Sequence, residues 1–245
     1  ERRLLLGGSG WENIAAQFSN LRYLGHIYSA DHNAFNSTPL WLTPGTAGAM
    51  ARTLYCAVDT ELYRPRRTQP PRWQLGYMGT YCPGRQPMLE RLLLEPARRH
   101  RGAPMIVAGA QYPATIDWPA NVERIEHIRP AAHAGFYGDQ AFTLNLTRSS
   151  MIAAGYSPSV RLFEAAACAC PIISDWWEGL DSFFKIGEEI LVADSPDRIA
   201  EYLFDMPAAA RQALGAKARA RILAEHTAAH RAAELEGYAQ QRRAA

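Results

Sequence analysis

The chain has 245 residues, 48% of them apolar and 20% charged, with a formal net charge of +2 at neutral pH. That length buries a sizeable core and allows one large domain or nearly two small ones. The ordinary balance excludes disordered, collagen-like and coiled-coil chains, and the near-zero, unclustered charge leaves no electrostatic footprint for nucleic acid.

The first third is irregular. Residues 4–11 (LLLGGSGW) and 20–28 (NLRYLGHIY) are strand-like, residues 37–50 are rich in Pro, Gly and Thr, and residues 64–72 (RPRRTQPPR) form a linker. These features set a boundary that divides the chain into 1–64, an incomplete N-terminal α/β segment with its connector, and 65–245. From there on, short apolar runs alternate with amphipathic patterns. Strands are predicted at 74–81, 105–112, 121–128, 141–147, 171–176 and 188–194. Helices are predicted at 86–100, with Leu89, Leu92 and Leu93 on one face, at 160–169, at 197–206 behind a Ser195 or Asp197 cap, and across 207–241. Such alternation predicts a doubly wound parallel sheet.

Sliding the sequence over itself by 101 positions aligns seven identities without a gap. Gly8, Asn20, His26, Ile27, Ala30, His32 and Phe35 fall on Gly109, Asn121, His127, Ile128, Ala131, His133 and Phe136. Chance supplies about two in such a window. Residues 1–36 therefore read as a second copy of one piece of the later domain, or as a second βαβ unit with the same chemistry.

The four cysteines, Cys56, Cys82, Cys168 and Cys170, contain no CxxC pair. They read as buried thiols of a reducing cytoplasm and not as a disulfide framework or a zinc knuckle. No apolar stretch approaches the ~20 residues of a membrane span. The sequence opens at Glu1 without a methionine or an export signal.

The segment richest in chemistry is Gly155–Glu178 (GYSPSVRLFEAAACACPIISDWWE). Ser157 and Ser159 can cap a helix starting near Val160, whose free N–H groups attract anions. Arg161 in its first turn can hold a phosphate oxygen, and Glu164 one turn on can accept from two vicinal hydroxyls. The same pattern also fits a helix that merely starts well and carries a structural Glu. Asn145, Thr147 and Arg148 end a strand at the carboxyl edge of the sheet, where ligands bind in such folds. Asp175 and Glu178, beside Trp176 and Trp177, either line a sugar site or pack at a strand end. Gly7–Gly10 lacks the full spacing of a dinucleotide loop. His226 and His230, four apart around Thr227, read as a solvated helix face, and His32 and His133 as capping or surface residues.

RLFEAAACACPIISDW resembles the donor-binding helix and following strand of GT-B glycosyltransferases. GYSPSVRLFEAAA, SDWWEGLDSFF and EILVA together are similar to the CgeB-type (spore maturation protein CgeB-like) members. LGYMGTYCPGRQPMLERLLLEPA resembles the first strand, phosphate loop and helix of their C-terminal nucleotide-binding domain. LYCAVDTELYRP (54–65) resembles their interdomain connector, with Asp59, Tyr63 and Pro65 in an Asp–aromatic–Pro signature. The likeness covers about residues 50–240, and residues 1–36 are similar to the same domain again.

This resemblance implies a Rossmann-like GT-B C-terminal domain that transfers a sugar from a nucleotide-diphosphate sugar to a glycan, protein or small-molecule acceptor. The donor is a substrate, and no further cofactor is implied. Gly79 and Thr80 are expected beside the donor phosphates, and Arg85 on the pyrophosphate. His127 and Ile128 are expected at the base edge through their backbone, and Glu164 on the ribose. Arg85, Arg161 and the helix dipole would neutralise the diphosphate without a metal. Tyr156 stands eight residues before Glu164, where many retaining relatives carry a second Glu. The acceptor-binding half is missing from the sequence, so the expectation is a truncated or rearranged chain. A catalytically silent nucleotide-binding module and a nucleotide-sugar 2-epimerase of the same architecture are the alternatives.

Overall fold

The computed structural model describes residues 53–66 and 70–244. The strands expected at 4–11 and 20–28, the first copy of the repeat, Gly7–Gly10 and His32 lie outside the described residues. The chain divides into two compact units, Ala57–Ala228 and a second made of Glu1–Cys56 with Ala229–Ala245. The sheet and the candidate site lie in the first.

Strand β1 (Trp73–Met78) leads through a loop into α1 (Gln86–Leu89), a π-helical stretch (Glu90–Leu94) and α2 (Glu95–Arg99). One continuous helix was expected here. Pro96 explains the wider turn: it has no N–H to donate and its ring crowds the carbonyl four residues back. In the π register, the Glu95 N–H reaches the Glu90 carbonyl instead. Leu89, Leu92 and Leu93 are buried as their spacing predicts, together with Leu94.

β2 (Met105–Ala108) and β3 (Val122–Ile125) follow, joined by a loop without a helix. Both are shorter than their apolar runs. β2 stops because Gly109 (φ 153°) and Gln111 (φ 66°) turn the chain away. β3 stops ahead of Pro130, which begins α3 (Pro130–Gly138) and holds Arg129 extended. Then come β4 (Gln140–Asn145), α4 (Ser149–Ala154), α5 (Val160–Ala167), β5 (Ile172–Ser174), a 3-10 turn (Leu180–Ser182) and β6 (Leu191–Val192). α6 (Pro196–Phe204) is capped by Ser195, whose Oγ accepts from the Arg198 N–H at 3.4 Å. α7 (Ala208–Glu225) and α8 (Ala228–Ala244) close the chain. Periodicity does not announce α3 and α4, because both are short and built largely of small residues.

The six strands are all parallel in the order β3-β2-β1-β4-β5-β6, the doubly wound arrangement that the sequence predicts. Leu75 of β1 stands opposite Met105 on one side and Phe142 on the other. A parallel sheet covered on both faces needs continuous apolar strands. Leu75, Tyr77, Met105, Val107, Phe142 and Leu144 accordingly form the core with the leucines of the first helical segment. Among the described residues no helix is long and apolar enough to cross a membrane.

The loops after β1 and β2 touch: a Cβ built on Gly109 would lie 2.0 Å from the Gly79 carbonyl oxygen. With its left-handed φ as well, Gly109→Ala is expected to destabilise this unit by about 1–3 kcal/mol. The thermal midpoint should then fall by roughly 2–4 °C per kcal/mol. An unchanged midpoint would show that the two loops do not abut.

Candidate functional site

A parallel sheet turns every strand's carboxyl end to one edge. Where neighbouring strands send their connections to opposite faces, a crevice opens at that edge. Here the neighbours are β1 and β4, so the crevice lies between the loop after Met78 and the segment after Asn145.

From the β1 side comes the run Gly79–Arg85. Gly79 donates to the Ala108 carbonyl at 2.8 Å, and its own carbonyl accepts from Tyr112 Oη at 2.9 Å. A Cβ at Gly79 would meet Tyr77 Oη at 2.5 Å, so the protein's own phenol demands this glycine. Arg85 is only 4% exposed, and its Nη2 donates to the Thr80 carbonyl at 2.6 Å. Burial is the main cause that lowers its pKa from the ordinary guanidinium value. Tyr77 opposes the shift, and Arg161 and Arg148 add to it. Arg85, in the loop after β1, thus feels the charges of Arg148 and Arg161 from two other segments. Like charges held this way are relieved by a bound anion.

Arg148 is the residue before α4, and Arg161 lies in the first turn of α5. Ser159 occupies the N-cap of α5 with extended backbone, but its hydroxyl makes no cap hydrogen bond, contrary to the expected role. Ser157 is buried just before it. Glu164 sits one turn beyond Arg161, half-buried, and its Oε2 accepts from Tyr137 Oη at 3.1 Å. The Tyr63 phenol, hydrogen-bonded to His133, also feels this carboxylate's charge. Burial and then the Glu164 charge push both phenols up. The Cys168 thiol is likewise pushed up to about 12, by burial first and Glu164 second.

Asn145 and Thr147 stand at the β4 end as predicted, but their side chains are buried and engaged within the protein. Thr147 donates from its N–H to Asp175 Oδ2 and from its hydroxyl to Asp175 Oδ1, both at 2.8 Å. Asn145 Nδ2 donates to Ser174 Oγ at 3.0 Å. Asp175 therefore belongs to a strand-end seam, and burial raises its pKa against the pull of the Thr147 hydrogen bonds. Trp177 is buried, whereas Trp176 is 61% exposed and Glu178 is exposed.

His127 is exposed and Ile128 half-buried, at the β3 end. His133, expected as a capping or surface residue, is half-buried and makes two contacts. Its Nε2 lies 3.2 Å from the Ile128 carbonyl oxygen and its Nδ1 3.1 Å from Tyr63 Oη. The solvated face expected for His226 and His230 is corrected too. α7 ends at Glu225, so the two residues do not share a helix, and His226 is buried against Phe163 and Phe183.

Sequence reasoning missed Tyr137 and Arg124 and gave His133 no contact. Arg124 stacks its guanidinium 4.2 Å from the Tyr112 ring and 4.0 Å from the Trp118 ring. Its Nη2 donates to the Gly109 carbonyl at 3.1 Å, which pins the loop after β2. No spacing rule reveals such contacts. Only Tyr63 carried a signal, the aromatic position of the connector signature.

Solved glycosyltransferases share this architecture. The chain matches sucrose-phosphate synthase from Thermosynechococcus elongatus at 16% identity and a TM-score of 0.58, covering 79% of this chain and 53% of that one. It matches HepE from Anabaena at 12% identity and a TM-score of 0.61, covering 80% and 58%; that crystal structure holds UDP and glucose. It matches the C-terminal domain of the group 1 glycosyltransferase LpcC from Francisella tularensis at 14% identity and a TM-score of 0.53, covering 70% and 99%. The chain spans little more than half the length of the first two. No curated protein matches the sequence. The parallel sheet and its order are those of the Rossmann-like half of a GT-B glycosyltransferase. Residues 85–237 match the family described as glycosyl transferase-like, and the chain belongs to that family.

The seam at Asp175 yields a stability test with a definite sign. A carboxyl raised above its unfolded value of about 3.9 binds more protons in the folded state. Its contribution is therefore present in full below that value and is lost as pH rises through the native pKa. Asp175→Asn, which keeps one acceptor and does not ionise, should gain on the native protein in chemical denaturation as pH rises above about 4. Asp175→Ala leaves the Thr147 N–H without its acceptor and should cost about 1–3 kcal/mol throughout. A pH-independent difference between the Asn variant and the native chain would refute the raised pKa.

Proposed function

We propose that this chain is the donor-binding half of a glycosyltransferase that takes a nucleotide-diphosphate sugar, with residues 65–245 as the nucleotide domain and the CgeB-type enzymes as its subgroup. The observation that carries the reading is the buried Arg85 in the loop after β1, which feels the charges of Arg148 before α4 and Arg161 in the first turn of α5, with Glu164 one helical turn beyond Arg161. The arginines and the amino end of α5 would take the diphosphate. Glu164, oriented by Tyr137, would accept from the ribose hydroxyls. The backbone around His127 and Ile128 would meet the base.

In the transfer itself, the bond between the anomeric carbon and the diphosphate oxygen breaks, and its electron pair leaves with the nucleoside diphosphate. The acceptor hydroxyl forms the new bond and gives up its proton. This chain's contribution is positioning and stabilisation of the charge that develops on the leaving oxygen. The UDP and glucose bound in HepE support the donor class. The motif order in GYSPSVRLFEAAA, SDWWEGLDSFF and EILVA supports the subgroup.

Calorimetric titration with UDP, GDP and dTDP tests the reading, and at least one should bind. Glu164→Ala removes acceptors for ribose hydroxyls and should weaken that nucleotide by about 10–150-fold. Arg161→Ala should weaken the diphosphate and leave the corresponding nucleoside unchanged. The reading fails if none of the three nucleotides binds or if Glu164→Ala binds as tightly as the native chain.

A further inference from the structure

The run Asp175-Trp176-Trp177-Glu178 after β5 alternates in burial: Asp175 and Trp177 are buried, Trp176 and Glu178 exposed. The two readings that the sequence left open for this run thus divide between its residues. Asp175 packs at the strand end on Thr147, and the Trp177 ring lies 5.9 Å from that of Phe183. Trp176 and Glu178 turn to solvent.

A third exposed side chain is fixed beside them. Tyr156, between α4 and α5, holds a left-handed backbone at φ 45°, which tyrosine rarely adopts. Its N–H donates to the Glu178 carbonyl at 2.6 Å. Its ring is seated on Gly179, where a Cβ would come within 2.5 Å of Tyr156 Cδ1, and Glu178 Oε2 lies 3.4 Å from the Cβ position of Gly155. Strain of this kind persists only where the surroundings over-determine it, and it collects at ligand sites. Trp176 at 61% and Tyr156 at 52% are the two most exposed large apolar side chains among the described residues. Among those residues nothing hydrogen-bonds the Tyr156 hydroxyl or the Glu178 carboxylate, and no ring packs on Trp176.

Two open aromatic rings around a carboxylate select their ligand. A purely apolar partner would bury Glu178 unpaired, at a cost. A pyranose offers C–H faces to the rings and hydroxyl donors to the carboxylate. The sheet order puts β5 beside β4, on the side away from β1, β2 and β3. A nucleotide with its base at the β3 end and its diphosphate between β1 and β4 therefore turns its sugar end toward this platform. The sugar in transfer has to be shielded from water. Rings as open as these do not shield, but they suit a chain that arrives from solvent.

We propose that Tyr156, Trp176 and Glu178 form a subsite for the acceptor and that the acceptor is a glycan, its pyranose stacked on the rings and its hydroxyls donating to Glu178. The inference rests on the reading of the crevice as a donor site and adds the class of acceptor to it.

The test is saturation-transfer NMR on the full chain with the methyl glycosides of glucose, galactose, mannose, N-acetylglucosamine and rhamnose, alone and with UDP, GDP or dTDP. At least one glycoside should bind, with transfer strongest at its ring C–H protons. Trp176→Ala and Tyr156→Gly should each weaken it about five- to tenfold. Glycine suits the left-handed backbone, so that variant loses the ring and keeps the fold. Glu178→Gln should weaken the glycoside about tenfold, and Tyr156→Phe, which keeps the ring, should bind it as the native chain does. All four variants should hold the diphosphate with native affinity in calorimetry. If a diphosphate binds but no glycoside does, the proposal is overturned and the nucleotide site stands. Variants that hold the glycosides at native affinity overturn it as well, and a loss confined to UDP-glucose relative to UDP then assigns the platform to the donor. If none of the three diphosphates binds, the nucleotide reading itself falls, and the acceptor subsite with it.

Discussion

The burial of the Arg85 guanidinium is the constraint around which the carboxyl edge of the sheet is arranged. Taking such a group out of water is costly unless its donors are met. The chain meets one with the Thr80 carbonyl by folding the loop after β1 back over the side chain. That fold-back is held by the turn from Cys82 to Arg85, by the packing of Gly84 beside Ser149, and by the Tyr112 hydroxyl on the Gly79 carbonyl. With Arg148 and Arg161 near, the edge is positive where the amino end of α5 already favours an anion. Asp175, an acid of the adjoining segment, has both oxygens engaged by Thr147. Its charge is thereby tied to the seam between β4 and β5.

Glu164 is treated differently. Residues three apart on a helix are neighbours, so Arg161 and Glu164 bring opposite charges to adjacent turns of α5. A phenol, Tyr137, donates to the Glu164 carboxylate. A neutral donor orients a carboxylate without cancelling its charge, and lone pairs remain for hydroxyl groups. One short helix thus offers a cationic end suited to a diphosphate and an anionic turn suited to a diol.

What the sequence made legible follows from the physics of a parallel sheet. Strands buried on both faces are continuous apolar runs, so their existence and order could be read, together with the helix that carries Arg161 and Glu164. Their ends could not, because β2 stops at positive φ values of Gly109 and Gln111 and not at a change of polarity. The engagement of Thr147 by Asp175 spans 28 residues and exists only because β4 and β5 pair in one register. The contact of Tyr63 with His133 spans 70 residues. Spacing within a segment carries no trace of either. His226 was misread for a related reason: the break after Glu225 removes the helical spacing on which a solvated face was argued.

The internal repeat gains weight from where its identities fall. Patterning shared by any two βαβ units would produce matches at interchangeable core positions. The matched residues of the described copy instead make particular contacts. Gly109 admits the Gly79 carbonyl where any Cβ would clash. Asn121 donates to the carbonyls of Ala97, His100 and Ala103, closing the turn that leads into β2. His133 bridges Ile128 and Tyr63, and Phe136 packs its ring against Trp73. A glycine, an asparagine, a histidine and a phenylalanine each meet a separate physical demand here. Their recurrence at one fixed offset in residues 8–35 is therefore better explained by duplication of this loop, strand and helix than by shared hydrophobic periodicity.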